Sequence, residues 1–199
     1  TTLQAFGKVL VLVVIMHWVW LSALFIVTGI LNGRSPIELI RAMMPAYFTA
    51  LGTMSSAATI PVTLRSVKAA KVREPIANFV VPLCANIHLS GSTITLVTCT
   101  SAVMLMTSGV GIPSLGAMLP FIMMLGIIMI AAPGAPGGAV MSAIGLLTSM
   151  LGFNESQVAL MIALYLAQDS FGTATNVTGD GVIAIWMDRF FGKQIEDAA

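Results

Sequence analysis

The sequence predicts an all-α integral membrane protein, and three observations carry that reading. Only 9% of the 199 residues are charged, 57% are hydrophobic and the mean hydropathy is +0.97, whereas soluble domains carry roughly 25% charged residues. From Pro75 to Asn154 there is no Asp, Glu, Lys or Arg. Apolar runs long enough to cross a bilayer as helices are interleaved with runs too short to do so. The net charge of +1 offers no basic surface for nucleic acid. Cys84 and Cys99 sit inside apolar runs and read as small buried hydrophobes, not as a disulfide or a metal pair. The fourteen methionines read as adaptable packing residues. The chain opens "TTLQAFGKVL" without an initiator methionine or signal peptide, so helices are expected before residue 1.

The elements follow in order. Residues 3–32 form one transmembrane helix, ended by "NGRSP" at Asn32–Pro36. Its His17, Trp18 and Trp20 read as packing or interfacial residues, not ligands. Residues 37–67 hold two half-length apolar pieces that meet at "SSAATIP", Ser55–Pro61. Two half-helices meeting at a small polar tip describe a re-entrant hairpin, whose backbone must be shielded by protein or water. Residues 74–108 can cross, but "NIHLSGST" at Asn86–Thr93 interrupts them. Residues 113–152 repeat the hairpin with the tip "AAPGAPGGA" at Ala131–Ala139. Residues 155–192 repeat the interrupted crossing. Hairpin, broken helix, hairpin, broken helix is the pattern of inverted repeats around a midplane transport site.

Charge supports this topology. If residues 3–32 end in the cytoplasm, Arg34, Arg41, Arg65, Lys68, Lys71, Arg73, Arg189 and Lys193 all fall on the cytoplasmic side and only Lys8 falls outside. Full spans without hairpins would put either the 65–73 cluster or the 189–193 pair outside.

The stretch "QDSFGTATNVTGD", 168–180, places Asp169, Thr173, Asn176 and Asp180 at i, i+4, i+7 and i+11, on one face of a helix. Two carboxylates, an amide and a hydroxyl suit a hard cation such as Na⁺ and an ammonium group. Gly172 and Gly179 are expected to loosen the helix and free backbone carbonyls. A polar stripe that only joins helices accounts for Thr173 and Asn176 but not for two aspartates in a membrane. Paired intramembrane carboxylates also raise an aspartyl protease. Such enzymes carry the pair on different helices with Gly-x-Gly-Asp, whereas here "VTG" precedes Asp180 and both lie on one segment.

With these motifs the chain resembles the glutamate-transporter-homologue family, the dicarboxylate/amino acid:cation symporters, over nearly its whole length. It matches the C-terminal core, from the sixth helix to the eighth. The serine-rich first tip appears as "SSAATIPVTLR" and the second, Gly-Val-Pro-Gly, as "GAPGG". The seventh-helix Asn-Met-Asp-Gly-Thr appears, altered, as "HLSGS", and the eighth-helix Asp-x-x-Arg-Thr-x-x-Asn-Val-x-Gly-Asp as "DSFGTATNVTGD". The resemblance implies an elevator-type, Na⁺-coupled amino acid symporter, a homotrimer in a bacterial or archaeal plasma membrane, and no cofactor beyond the coupling ion. It matches Asp169 to the partner of the substrate ammonium, and Thr173 and Asn176 to substrate contacts. It implies that backbone at Ser55, Ser56 and Ala57, and at Gly134, Ala135, Pro136 and Gly137, holds the α-carboxylate, with Ser92 nearby. Asn176, Asp180 and the Cys84 carbonyl match a deep sodium site. Carbonyls near Met129, Ile130 and Ala132 match another, under a second hairpin that gates the outside.

The departures from the family pattern shape the substrate. The arginine that pairs with an acidic side chain is Gly172 here, and the place of a compensating arginine before the first tip is taken by Met54. Burying a second carboxylate without a cation is costly. A neutral amino acid is therefore expected, serine- or threonine-like, or somewhat larger given the space at Gly172. Acidic amino acids, dicarboxylates and small amines are the alternatives. His88 and Ser90 replace an Asn and an Asp, so one sodium site is in doubt, and His88 can carry a proton instead.

Overall fold

A computed structural model describes residues 2–107, 111 and 114–196. Residues 108 and 113, the last of one expected segment and the first of the next, lie outside the described residues. Every described element is an α-helix: α1 Thr2–Asn32, α2 Pro36–Thr53, α3 Ser56–Ala69, α4 Glu74–Ile87, α5 Ser90–Met106, α6 Leu115–Met129, α7 Gly138–Leu151, α8 Glu155–Leu166 and α9 Asp169–Glu196.

Local chemistry sets these limits. Proline opens the first turns of α2 and α4, where its missing N–H costs nothing. Asn154 and Gln157 form a reciprocal capping box at the start of α8. Met54 ends α2 in the left-handed region at φ 50°, and Ser55 then caps α3 by accepting the Ala58 N–H at 3.2 Å. The first tip is thus two residues long, Met54 and Ser55. Most of "SSAATIP" is already helix, and Pro61 lies inside α3. Gly137, at φ 73°, turns the second tip into α7.

The helices build two cores. The first takes Leu21 and Phe25 from α1, Leu39 and Met43 from α2, Val67 from α3, Val80 and Val81 from α4, and Val177 and Ile185 from α9. The second takes Leu96 and Val103 from α5, Phe121 and Leu125 from α6, Val140 and Leu147 from α7, and Met161 and Leu164 from α8. The interrupted segments α4–α5 and α8–α9 therefore each give one half to each core. Their breaks, at His88–Leu89 and Ala167–Gln168, lie where the segments pass from one core to the other.

α1 turns a broad apolar face outward: Val11, Ile15, Val19, Ile26 and Ile30 are all exposed. Two segments, Gln4–Asn32 and Glu74–Met106, are long and apolar enough to cross a membrane.

Candidate functional site

The two tips meet. Ser55 Oγ donates to the Gly134 carbonyl at 2.6 Å, and the Ala57 N–H donates to the same oxygen at 3.3 Å. Gly134 is pressed between this tip and α4, since a Cβ there would approach the Ala85 carbonyl at 2.8 Å and Ala57 N at 3.4 Å. Below the joined tips lies a cavity of about 10 Å³, reached by Ser56, Ser92, Ala135, Asp169, Thr173 and Asn176. That is room for one water-sized sphere. Tyr165 and Leu89 also reach it.

Asp169, 4% exposed, stands at the first position of α9 beyond the break, and its Oδ2 accepts the Gly137 N–H of the second tip at 2.7 Å. One buried carboxylate thus ties tip to helix. Asn176 works on α5. Leu89, which precedes α5, supplies no side-chain cap. Asn176 Oδ1 accepts the Gly91 N–H at 2.7 Å and the Ser92 N–H at 3.2 Å, and its Nδ2 donates to Ser92 Oγ at 2.8 Å. The orphan donors of one helix end are met by a side chain 85 residues away.

Asp180, 1% exposed, pairs its Oδ1 with His88 Nδ1 at 2.8 Å. The His88 ring lies over Gly179, where a Cβ would collide with it. The Cys84 carbonyl accepts the His88 N–H at 2.9 Å, closing α4. Ser90 Oγ accepts from the Trp20 indole at 3.2 Å. Met129 ends α6, and Ile130 and Ala132 lie in the turn that follows it. Met129 and Ala132 are buried and joined by an N–H···O bond of 3.2 Å, while Ile130 is exposed. None of the three, nor Pro136, lines the cavity at Asp169. The expected residues therefore fall into three groups: Asp169 with the tips, Asp180 with His88 and Cys84, and the 129–132 turn by itself.

Three expectations change. α9 runs unbroken through Gly172 and Gly179, and the interruption lies before Asp169. The glycines serve close approach rather than loosening. A Cβ on Gly91 would collide with the Gly172 carbonyl and stand 2.6 Å from Thr175 Cβ. Nor does Gly172 open space for a larger ligand, because a Cβ there meets Thr95 Oγ1 at 3.2 Å and Ser92 N at 3.5 Å. The protease reading also fails on geometry. Eleven residues along one helix separate the aspartates by about 16 Å, and a carboxylate dyad needs about 3 Å.

His17, expected as a packing or interfacial residue, is buried and also bonds to α5: Nε2 lies 3.0 Å from the Gly91 carbonyl and 3.2 Å from Thr95 Oγ1. A histidine in an apolar run was the only signal, and it did not name a partner. Tyr165 was missed because a tyrosine in an apolar run carries no mark of what it faces.

Fold and site together describe a helical membrane protein whose buried polar groups gather at two helix breaks and two tips. Residues 1–190 match the sodium:dicarboxylate symporter family, and the chain belongs to that family. The family is one of symporters, not enzymes. The chain is 28% identical over 164 residues to excitatory amino acid transporter 4 of Mus musculus, covering 82% of this chain and 29% of that protein. It is 30% identical over 152 residues to excitatory amino acid transporter 5 of Homo sapiens, covering 76% and 27%. It is 29% identical over 150 residues to excitatory amino acid transporter 1 of Ambystoma tigrinum, covering 75% and 27%. The chain thus spans under a third of the length of these relatives. All three are animal proteins, so the expected prokaryotic membrane gains no support from them.

Proposed function

We propose that this chain is the ligand-binding core of a sodium-coupled secondary transporter for a neutral amino acid. In this reading α2–α3 and α6–α7 are re-entrant hairpins, α4–α5 and α8–α9 are interrupted crossings, and the whole protein is a homotrimer working by an elevator-type alternating access. The observation that carries it is the buried Asp169 carboxylate beneath two joined tips, in a cavity whose lining contains no Lys, Arg or His. Asp169 and Thr173 would receive the substrate ammonium. Asn176 and the tip backbone at 55–57 and 134–137 would receive its carboxylate, as helix N-termini do. The joined tips correspond to a closed state, and entry requires the Ser55–Gly134 and Gly137–Asp169 bonds to part. Turn carbonyls at 129–132 would take a coupling sodium. The excitatory amino acid relatives favour an acidic substrate instead, which would bury a second carboxylate without a cation.

Sodium-driven uptake by the full-length protein in proteoliposomes tests this, with serine, threonine and aspartate as competitors. Competition by serine or threonine, and loss of uptake in Asp169→Asn, is the expected result. Aspartate binding as tightly as the best neutral ligand would overturn the substrate assignment.

One observation favours a second reading of the coupling. Asp180 already holds His88, Asn176 Oδ1 is committed to two N–H groups, and the Cys84 carbonyl accepts the His88 N–H. Each of the three groups matched to a deep sodium site thus already holds at least one partner within the protein. In this reading fewer sodium ions cross per substrate, or a proton accompanies it. Proton flux under saturating sodium, abolished by His88→Asn, is the check.

A further inference from the structure

We propose that the concavity between the end of α1, the α3–α4 turn and the last turns of α9 binds a phosphate group, carried by an anionic lipid headgroup or by a free phosphate. The cavity measures about 290 Å³ and is separate from the groups around Asp169 and Asp180. It approaches the roughly 300 Å³ at which small-molecule sites begin. Five cations reach it, Arg34, Lys71, Arg73, Arg189 and Lys193, against the single carboxylate of Asp188.

Two of the five shape the wall. Arg34 donates to the Ala70 carbonyl at 2.5 Å and to Glu38 at 2.5 Å. Arg73 pairs with Asp188 Oδ2 at 3.1 Å, and Asp188 Oδ1 accepts the Arg73 backbone N–H at 3.0 Å. Gly192 lies against that guanidinium, and a side chain there would have to displace it. Of the other three, Arg189 and Lys193 have no side-chain hydrogen bond or ion pair among the described residues, and Lys71 feels the Glu38 carboxylate only through its charge.

Lys71 adds an independent mark. Its φ is 67°, and the bonds Lys71 N–H to Lys68 O and Val72 N–H to Val67 O close the end of α3 around it. Glycine is the ordinary occupant of such a position. A lysine held there against backbone preference places an ammonium at the cavity.

Orientation signals alone require positive charge only somewhere in the loop. They require neither a concave site nor five cations around one volume. Basic pockets at the cytoplasmic end of helical membrane proteins suit anionic headgroups. A tetrahedral phosphate, which several N–H donors can reach at once, is the matching chemistry.

The test uses the full-length protein in nanodiscs and does not depend on transport. Thermal stability is measured with inorganic phosphate against chloride at constant ionic strength in neutral lipid, and in phosphatidylcholine against phosphatidylcholine with phosphatidylglycerol. Arg189→Gln/Lys193→Gln is compared with Arg41→Gln/Arg65→Gln, which removes equal charge elsewhere at the same end. Stabilisation in either arm, with affinity about 25-fold weaker only in the first variant, supports the site. A response to phosphatidylglycerol alone identifies a lipid source, and a response to phosphate identifies a soluble one. No stabilisation in either arm, or equal loss in both variants, overturns the proposal.

Discussion

Gly91 and Gly172 show how little a residue type says without its neighbour. Both are consistent with a flexible helix, and both instead let α5 and α9 touch backbone to backbone. Gly91→Ala is therefore expected to lower the melting temperature well beyond Gly172→Ala, because its Cβ meets a carbonyl that cannot move aside, while Gly172 faces a rotatable threonine hydroxyl. Thermal melts of the two variants decide it, and equal shifts would contradict the contact. His88 and Asp180 are coupled at the same scale. A double-mutant cycle with His88→Gln and Asp180→Asn should give an interaction energy of about 1–3 kcal/mol. Additive effects would mean the 2.8 Å contact carries no stability.

At the scale of the element, α5 depends on a cap it does not encode. Asn176→Ala leaves the buried Gly91 and Ser92 N–H groups without their acceptor, at roughly 1–3 kcal/mol for each unsatisfied donor. Loss of stability should therefore exceed that of Asn154→Ala, which removes an N-terminal cap from α8 at about 1 kcal/mol. Chemical denaturation of both variants compares them. The all-helical character of the chain was legible because prolines, caps and apolar runs are local signals. Where α8–α9 breaks was not. "GTATNVTGD" looks loosened by its glycines, but packing against α5 and the His88 ring keeps it helical.

The whole molecule joins its two cores through the interrupted segments, each of which places one half in each core. Neither core can separate without pulling both segments out of the other. Leu39→Ala in the first core and Leu147→Ala in the second, both fully buried, should each cost about 2–5 kcal/mol and shift one common unfolding transition. Two transitions that move independently in a calorimetric scan would show that the cores are not coupled in this way.

The residues alone determined that the chain is helical and belongs in a bilayer, and that two aspartates stand eleven residues apart in one helical stretch. These follow from composition, from spacing within a turn or two, and from the cost of charge in lipid. Only the tertiary structure decided what each polar group meets. It brings Asp169 to Gly137, Asn176 to α5 and Asp180 to His88, and it joins the first tip to Gly134. Those partners lie 32, 85, 92 and 79 residues apart in the chain. No local pattern specifies such pairs; they are set by which helices share a core and how closely glycine lets them approach.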